Sequence, residues 1–316
     1  MKKLFLPLLL MLGAPLLAGT PITRSFEFLR TDFYPRTVAT GGAFVTFSGD
    51  VGTLLFNPAG MALSTKQHYA FALNKYLLDI NGGLAAYTRR IEGLGVVSAL
   101  VSYMNYGEFK ETNTFARETG NTFSANDVSF NVSLSDMLGE GLSYGVTLKY
   151  IFSQIESYNA SSVALDFGLL WQVPYDEGIR LGFAVTNLGS NFEYYGSVQE
   201  RLPLDMRLGF SKKLAHLPLT IALSLIHLAD PVDSFSGYFK RFAVGGEFTL
   251  SESLRFRLGY DHALNRDLND ELQGTRFGGV SGGLGLYYKN FRFDYAYSDY
   301  DLLGGTHRLS LTGTLD

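Results

Sequence analysis

The stretch Asp127–Ser135, DVSFNVSLS, alternates between polar and apolar residues at every position. Successive side chains of a β-strand point to opposite faces of a sheet, so a period of two places all the apolar members on one face. Those members are Val128, Phe130, Val132 and Leu134. The same period recurs in Leu254–Asp261 and in Phe291–Ser298. The pattern predicts an all-β fold whose strands have one apolar face and one polar or small face.

The composition of the two faces favours a membrane barrel over a soluble sandwich. The polar face of a sandwich meets bulk water, whereas here it is dominated by Gly, Ser, Ala, Asn and isolated charges of both signs, which suits a crowded interior. Large aromatic residues suit lipid contact on the other face; they include Tyr150, Phe152, Trp171, Phe210, Phe242, Phe248 and Tyr287. Counting such segments predicts an antiparallel transmembrane β-barrel of about fourteen strands. A secreted sandwich or solenoid is the alternative.

Connections of two lengths are expected between these strands. Four longer polar stretches lie between predicted strands, at 108–125, 190–202, 229–237 and 264–275. Bacterial barrels carry short turns on one rim and longer loops on the other. We therefore expect these four stretches to be loops on one rim.

Composition removes several classes of protein. The chain has 316 residues, of which 46% are hydrophobic and 18% charged, which is too apolar for a disordered protein. It has no Cys, so disulfide scaffolds, thiolate metal sites and thiol catalysis are excluded. A formal charge of -4 provides no overall attraction to nucleic acid.

The amino terminus has the features of a secretory signal. The basic residues Lys2 and Lys3 precede the apolar stretch Leu4–Leu12, and small residues follow up to Gly19. An uncleaved membrane anchor is the alternative, although the apolar stretch is short for one. The predicted organisation is a signal peptide at 1–19, a hatch segment at 20–65 and a transmembrane barrel at 66–316. Export and the barrel pattern together predict the bacterial outer membrane, with its lipid as a partner.

Polar and apolar residues do not alternate in the hatch segment. It contains the pair Gly41-Gly42 and the run Asn57-Pro58-Ala59-Gly60, in which Asn57 can cap a short helix that begins at Pro58. Such a turn could position an apolar plug inside the barrel. An ordinary turn leading into the first strand is the other interpretation.

The stretch Thr37–Leu63, TVATGGAFVTFSGDVGTLLFNPAGMAL, resembles the N-terminal signature of the PorV/PorQ family of outer-membrane proteins. Further stretches resemble the PorQ side of the family, namely Phe123–Asp127, Leu148–Tyr158, Ala164–Gly168, Thr186–Gly189 and Leu208–Leu214. The family is similar to the fourteen-stranded FadL-type barrels. The resemblance implies a hatch inside the barrel, with Gly41, Gly42 and the Asn57–Gly60 turn as its motif, and a role in type IX protein secretion.

No constellation of residues indicates catalysis, a metal or a cofactor. The five histidines are scattered, and the sequence has neither an HExxH pair nor a Gly-x-Ser-x-Gly elbow. The charged residues at strand positions predicted to face the lumen are more informative; they are Lys149, Asp166, Asp205, Arg207, Arg241, Glu247, Arg255, Arg257, Asp261, Arg292, Asp294 and Arg308. Their mixed signs allow them to line a polar conduit or to hold a plug in the lumen, and mutual pairing across the lumen is the alternative.

Two functions follow as hypotheses. The resemblance implies a non-enzymatic component or accessory of type IX secretion, whose partners are other secretion-system proteins. The alternative is a FadL-like channel that takes up hydrophobic small molecules past the hatch.

Overall fold

The computed structural model describes residues 24–176, 178–196, 200–272 and 277–315. The predicted signal peptide at 1–19 lies outside these residues.

The described chain forms a closed antiparallel barrel of fourteen strands, in which each strand pairs with its sequence neighbours and the first pairs with the last. This confirms the predicted fold class. The strands are β1 Gln67–Lys75, β2 Asn81–Ile91, β3 Gly95–Thr112, β4 Glu118–Gly139, β5 Leu142–Ile155, β6 Tyr158–Gln172, β7 Ile179–Glu193, β8 Asp205–Lys213, β9 Leu219–Leu225, β10 Phe242–Thr249, β11 Leu254–Asp261, β12 Val280–Tyr288, β13 Phe291–Asp299 and β14 Gly305–Leu315. Among the described residues, no helix is both long and apolar enough to cross a membrane.

The alternation in the sequence matches the two faces of the wall. In β4, Phe130 and Val132 are exposed on the outer face, while Ser129 and Ser133 are buried on the lumen side. One aromatic expectation is wrong, because Tyr287 lies in the lumen phase of β12, where Arg255 and Arg292 stack on its ring. A ring that can bind guanidinium groups has a favourable place inside a polar lumen.

The connections define two rims. The long-loop rim joins β1 to β2, β3 to β4 and so on to β13 and β14, and it carries the longest connections, 194–204, 226–241 and 262–279. The short-turn rim joins the remaining pairs, for example through 140–141 and 289–290. Two predicted loops are in fact structured. Most of 108–125 extends β3 and β4 as a hairpin, and 264–275 contains part of helix α3, His262–Leu272. The 226–241 connection holds the short helix α2, Phe235–Tyr238.

The described part of the hatch segment, residues 24–65, lies inside the barrel. It begins at the long-loop rim, where the backbone N–H of Ser25 donates to the carbonyl of Arg201 at 3.1 Å. It ends beside β1 at the short-turn rim. Its local structure is a series of short turns, namely 3₁₀ turns at Glu27–Arg30, Val51–Leu55 and Pro58–Leu63 and helix α1 at Pro35–Val38.

Apolar hatch side chains form the core of the molecule together with the lumen wall. Phe28, Phe33 and Met61 pack in one cluster with small wall residues such as Ala70 and Ala72. Phe44, Phe47 and Phe56 form a second cluster, which includes Ala222 and Ala243 of the wall. These apolar residues are therefore removed from water by packing against the inside of the barrel.

Candidate functional site

Between β5 and β12, seven lumen-facing glycines of the wall lie directly against the hatch; they are Gly145, Gly168, Gly182, Gly209, Gly245, Gly259 and Gly283. A Cβ atom at Gly182 would lie only 2.6 Å from the carbonyl oxygen of Val45. A Cβ atom at Gly259 would overlap the hatch backbone at Thr40 and Gly41. We call these seven residues the glycine belt. Because they have no side chains, the hatch backbone approaches the wall more closely than any other residue type allows.

Register places most of the belt in facing pairs on neighbouring strands. Gly145 pairs with Gly168, Gly182 with Gly209, and Gly245 with Gly259. Residues paired in this way share a face of the sheet. The belt therefore follows the path of the hatch around the wall from β5 to β12.

The hatch motif makes the most specific polar contact with the wall. The Asn57 side chain accepts a hydrogen bond from the backbone N–H of Ala59 at 3.1 Å, which caps the turn that begins at Pro58. Its amide nitrogen donates to the carbonyls of Val45 and Leu169, each at 2.9 Å. Since Leu169 belongs to β6, one buried side chain fastens two parts of the hatch and the wall.

The three glycines of the hatch motif are each required for a local reason. Gly41 and Gly42 have φ angles of 64° and 77°, which disfavour residues with side chains. Gly60 is restricted by space, because a Cβ atom there would lie 2.6 Å from the carbonyl oxygen of Phe47.

Six charged side chains close a ring between the hatch and the wall. In order around the ring they are Arg36, Asp50, Arg292, Asp294, Arg257 and Glu247, and each contacts two opposite charges at N–O distances of 2.6 to 2.8 Å. We call this set the ion ring. Arg36 and Asp50 come from the hatch, and the other four come from β10, β11 and β13. Three positive and three negative charges balance, so the ring leaves no net charge buried.

The pKa values of the two hatch residues in the ion ring, Arg36 and Asp50, reflect these contacts. Burial alone would raise the pKa of Asp50, but the guanidinium groups of Arg292 and Arg36 hold this pKa well below its usual range. Burial opposes ionisation of Arg36, yet Glu247 and Asp50 raise the pKa of Arg36 well above its ordinary value. Both hatch members therefore remain charged at neutral pH.

Other charges of the lumen phase pair within the wall. Lys149 contacts Asp166 at 2.8 Å, and both also bind Asn187, which has a φ of 61° at a bulge between β6 and β7. Arg207 donates to Asp205 at 2.7 Å from the same strand. The structure thus brings these residues together as pairs rather than as an open row of charges.

Four predicted lumen charges have other surroundings. Arg241 lies just before β10 in the long-loop rim and donates to the carbonyls of His227, Asp230 and Pro231. Arg255 stacks on Tyr287 with its guanidinium carbon 4.9 Å from the ring centre. The remaining two, Asp261 and Arg308, line a cavity above the hatch.

This cavity has a volume of about 260 Å³ and lies between the hatch and the long-loop rim. The hatch supplies Val38, Gly41, Gly42 and Phe56 to it. The wall supplies polar groups near the long-loop ends of its strands, among them Arg207, Asp261, Ser281 and Arg308. No cluster of three or more potential metal ligands occurs in the described parts of the chain.

A sequence model of the type IX secretion system protein PorV matches residues 19–216. The chain belongs to the PorV family. This confirms the family resemblance of the Thr37–Leu63 stretch. Together with the closed barrel, membership of the PorV family indicates an outer-membrane protein.

Solved structures of similar fold are hydrocarbon transporters and a FadL homologue. The toluene transporter TodX of P. putida superimposes with a TM-score of 0.63 at 11% identity, covering 90% of this chain and 99% of that one. The Ralstonia pickettii toluene transporter TbuX gives 0.59 at 12% identity, with 90% and 98% covered. A Pseudomonas aeruginosa FadL homologue gives 0.54 at 12% identity, with 94% and 99% covered. At such identities the likeness establishes the fold that this PorV-family chain shares with them.

Among curated proteins, none matches this chain. The PorV family is described by secretion, and the similar structures are described as transporters or FadL homologues, so none of these descriptions is of an enzyme.

Sequence reasoning missed several residues that fix the hatch. Arg36 and Asp50 complete the ion ring, and Arg24 and Arg30 bind Asp230 at 2.7 and 2.8 Å at the long-loop rim. The sequence did contain an indication of these contacts, because charged residues isolated within an apolar segment need partners of opposite charge when they are buried. The glycine belt also left a trace in the lumen-phase glycines of many strands, although the sequence alone did not show what lay against them.

Proposed function

We propose that this protein is a non-enzymatic component or accessory of type IX protein secretion in the bacterial outer membrane. Membership of the PorV family supports this role. The partners in this proposal are outer-membrane lipid around the wall and other secretion-system proteins at the rims.

The observation that carries the proposal is the fastening of the hatch. The ion ring, the glycine belt and Asn57 join the hatch to most of the lumen wall. Two contacts of the ion ring, Arg36–Glu247 and Asp50–Arg292, join the hatch to the wall. Removing one partner from a buried ion pair costs roughly 3 to 5 kcal/mol, so these contacts resist displacement of the hatch. In this role the hatch stays in place, and the protein acts through its outer surfaces rather than as a conduit.

The β3–β4 hairpin is the surface best placed to meet a secretion partner. β2 and β5 stop pairing at Asn105 and Ala125, and residues 109–123 pair only with one another above the long-loop rim. Phe115 at its tip is 82% exposed, and Phe109 stacks on Phe123 with ring centres 5.4 Å apart. Exposed aromatic residues on a projecting hairpin are typical of protein-binding surfaces.

By contrast, the described residues of the 190–202 region, 190–196 and 200–202, contribute less to such a surface. Phe192 stacks on Tyr150 of the outer wall at 6.3 Å, which is typical of an interfacial aromatic belt. The hydroxyl group of Tyr195 donates a hydrogen bond to Oγ of Ser153 inside the rim.

A FadL-like channel for hydrophobic small molecules is the second candidate. The fold shared with toluene transporters favours it. The cavity above the hatch does not, because a bound hydrocarbon would lie against the charged groups of Arg207, Arg308 and Asp261 without giving them polar partners.

Deleting the gene separates the two candidates. Under the proposed function, proteins that carry the type IX signal are lost from the medium or cell surface, while uptake of labelled toluene and oleate is unchanged. Re-expression of the full chain should restore secretion. Unchanged secretion with lost uptake would overturn the proposal in favour of the channel.

A further inference from the structure

The cavity above the hatch contains hydrogen-bonding atoms that the protein itself leaves unused. Ser281 is 3% exposed and its hydroxyl group has no hydrogen-bond partner among the described residues. Asp32 uses one carboxylate oxygen for the backbone N–H of Tyr34 and the hydroxyl of Thr37, whereas its Oδ2 atom is buried without a partner in the same described region. Both residues line the cavity. Buried polar atoms normally have partners, so these two point to a polar occupant.

Two guanidinium groups provide free donors around the same cavity. Arg207 binds Asp205 through Nε and stacks on Phe56 at 4.5 Å, and its terminal nitrogens have no hydrogen-bond partner in the described chain. Arg308 donates through Nε to the carbonyl of Asp32 at 2.8 Å and through Nη1 to Thr306 at 2.6 Å. Its Nη2 atom has no such partner within the described ranges. Carboxylates and phosphates are the groups that guanidinium donors bind best.

The charge balance of the lining decides between a charged and a neutral occupant. Arg207 is compensated by Asp205, Arg308 lies beside Asp32, and Asp261, which also lines the cavity, accepts the backbone N–H of Leu264 at the start of α3. The other charged lining residues, Glu27, Arg30 and Asp267, contact Arg24, Asp230 and Arg266, respectively. An anion or a cation would therefore bring an uncompensated charge into a largely buried place, which is costly. An occupant with both a carboxylate and an ammonium group meets the free donors and the free acceptor without adding net charge.

The volume limits the size of this occupant. A cavity of about 260 Å³ has room for about nine waters at roughly 30 Å³ each, and hence for a molecule with a similar number of non-hydrogen atoms. A hydrocarbon of that size would leave the polar atoms of the lining unpaired, at about 1 to 3 kcal/mol for each of them.

We propose that this cavity binds a small zwitterion of amino-acid or dipeptide size, with its carboxylate at Arg207 and Arg308 and its ammonium group at Asp32. The site is distinct from the proposed secretion surface, and it does not require the hatch to move. It differs in ligand class from the hydrocarbons named for the transporters of similar fold.

The test uses the purified full-length protein in detergent and titration calorimetry with glycylglycine. Acetate, ethylamine and toluene serve as anionic, cationic and apolar probes. We expect saturable binding of glycylglycine and at least tenfold weaker binding of the other three, because each of them leaves part of the lining unpaired.

Variants locate the binding. Asp32→Asn keeps the shape and the Oδ1 acceptor but removes the carboxylate charge, so we expect roughly tenfold or greater weakening, as for loss of a charged hydrogen bond. Ser281→Ala should weaken binding by a smaller factor. Ser224→Ala is the matched control, since Ser224 is equally buried and unpartnered in the described chain but does not line this cavity. The control should bind like the wild type.

Three results would overturn the inference. One is the absence of saturable glycylglycine binding up to roughly 10 mM, which would mean that the cavity holds water only. Another is preferential binding of toluene or of either singly charged probe. The third is equal binding by wild type and by a folded Asp32→Asn protein, with folding verified by heat-modifiable gel mobility.

Discussion

Two neighbouring glycines of β10 differ in what a methyl group would meet. A Cβ atom at Gly245 points into the lumen and would lie 2.7 Å from the Cβ atom of Thr40 in the hatch. A Cβ atom at Gly246 points outward and would meet only side-chain atoms, of Leu219 at 3.4 Å and of Phe248 at 3.8 Å. We expect Gly245→Ala to lower the free energy of unfolding by about 1 to 3 kcal/mol through overpacking, as measured by denaturant titration in micelles. Gly246→Ala is the control and should change it by less than about 1 kcal/mol. Equal effects would mean that the hatch does not lie on the wall.

The ion ring predicts a large effect at a single buried arginine. Arg257 is fully buried and binds both Glu247 and Asp294 at 2.6 Å. Arg257→Leu should cost about 3 to 5 kcal/mol in the same titration, because it leaves two buried carboxylates without a shared partner. Leu258→Arg, one residue further on the lipid-facing side, should cost about 2 to 4 kcal/mol near the middle of the membrane. A loss below about 1 kcal/mol for Arg257→Leu would show that the ring contributes little.

At the scale of elements, the hatch should be protected from solvent as a unit. The chain has no Cys, so a single introduced thiol reports on one position. Ala59→Cys should react slowly with a maleimide, since Ala59 is fully buried, whereas Phe115→Cys at the exposed hairpin tip should react at once. Adding Asn57→Ala to the first variant should speed its labelling, because the bonds to Val45 and Leu169 are lost. Fast labelling of Ala59→Cys in the otherwise native protein would contradict a packed hatch.

The β3–β4 hairpin should be dispensable for the barrel but not for the proposed function. Residues 109–123 pair only with one another above the rim, apart from the ladder that leads to them. Replacing them with an Asn-Gly turn should leave heat-modifiable gel mobility unchanged and reduce secretion of type IX substrates. A matched shortening of the 173–178 turn on the short-turn rim should leave secretion intact. Normal secretion without the hairpin would remove it as the partner surface.

At the scale of the molecule, periodicity predicted the barrel because successive side chains of a strand point alternately to the lumen and to the outside. Polar and apolar residues alternate at every position of strands such as Asp127–Ser135. The face on which each side chain lies and the number of strands therefore followed from the sequence. The extension of β3 and β4 did not, since residues 106–124 are mostly polar, do not alternate regularly and resemble a loop. Tyr287 was misplaced because its partners, Arg255 and Arg292, come from adjacent strands.

The hatch contacts were less predictable than the wall. Asn57 and Gly60 stood out through local turn chemistry, which a sequence shows. The ion ring joins Arg36 to Glu247 and Asp50 to Arg292, and contacts over such separations depend on how the hatch lies in the closed barrel. Whether the wall charges pair or line a conduit could therefore not be decided before the hatch was placed.

A hatch that stays in place during secretion is the central claim, and a reversible cross-link tests it directly. Ala39 of the hatch and Ala296 of β13 are both fully buried and pack in one cluster. Ala39→Cys combined with Ala296→Cys should place two thiols close enough for a disulfide between hatch and wall on oxidation, and its formation is checked by gel mobility with and without reductant. No other thiol in the chain competes. The measurement is the amount of type IX substrate secreted by cells that carry the oxidised double variant, relative to the same cells after reduction. The account predicts equal secretion in the two states. Secretion that falls to the level of the gene deletion on oxidation and recovers on reduction would contradict it.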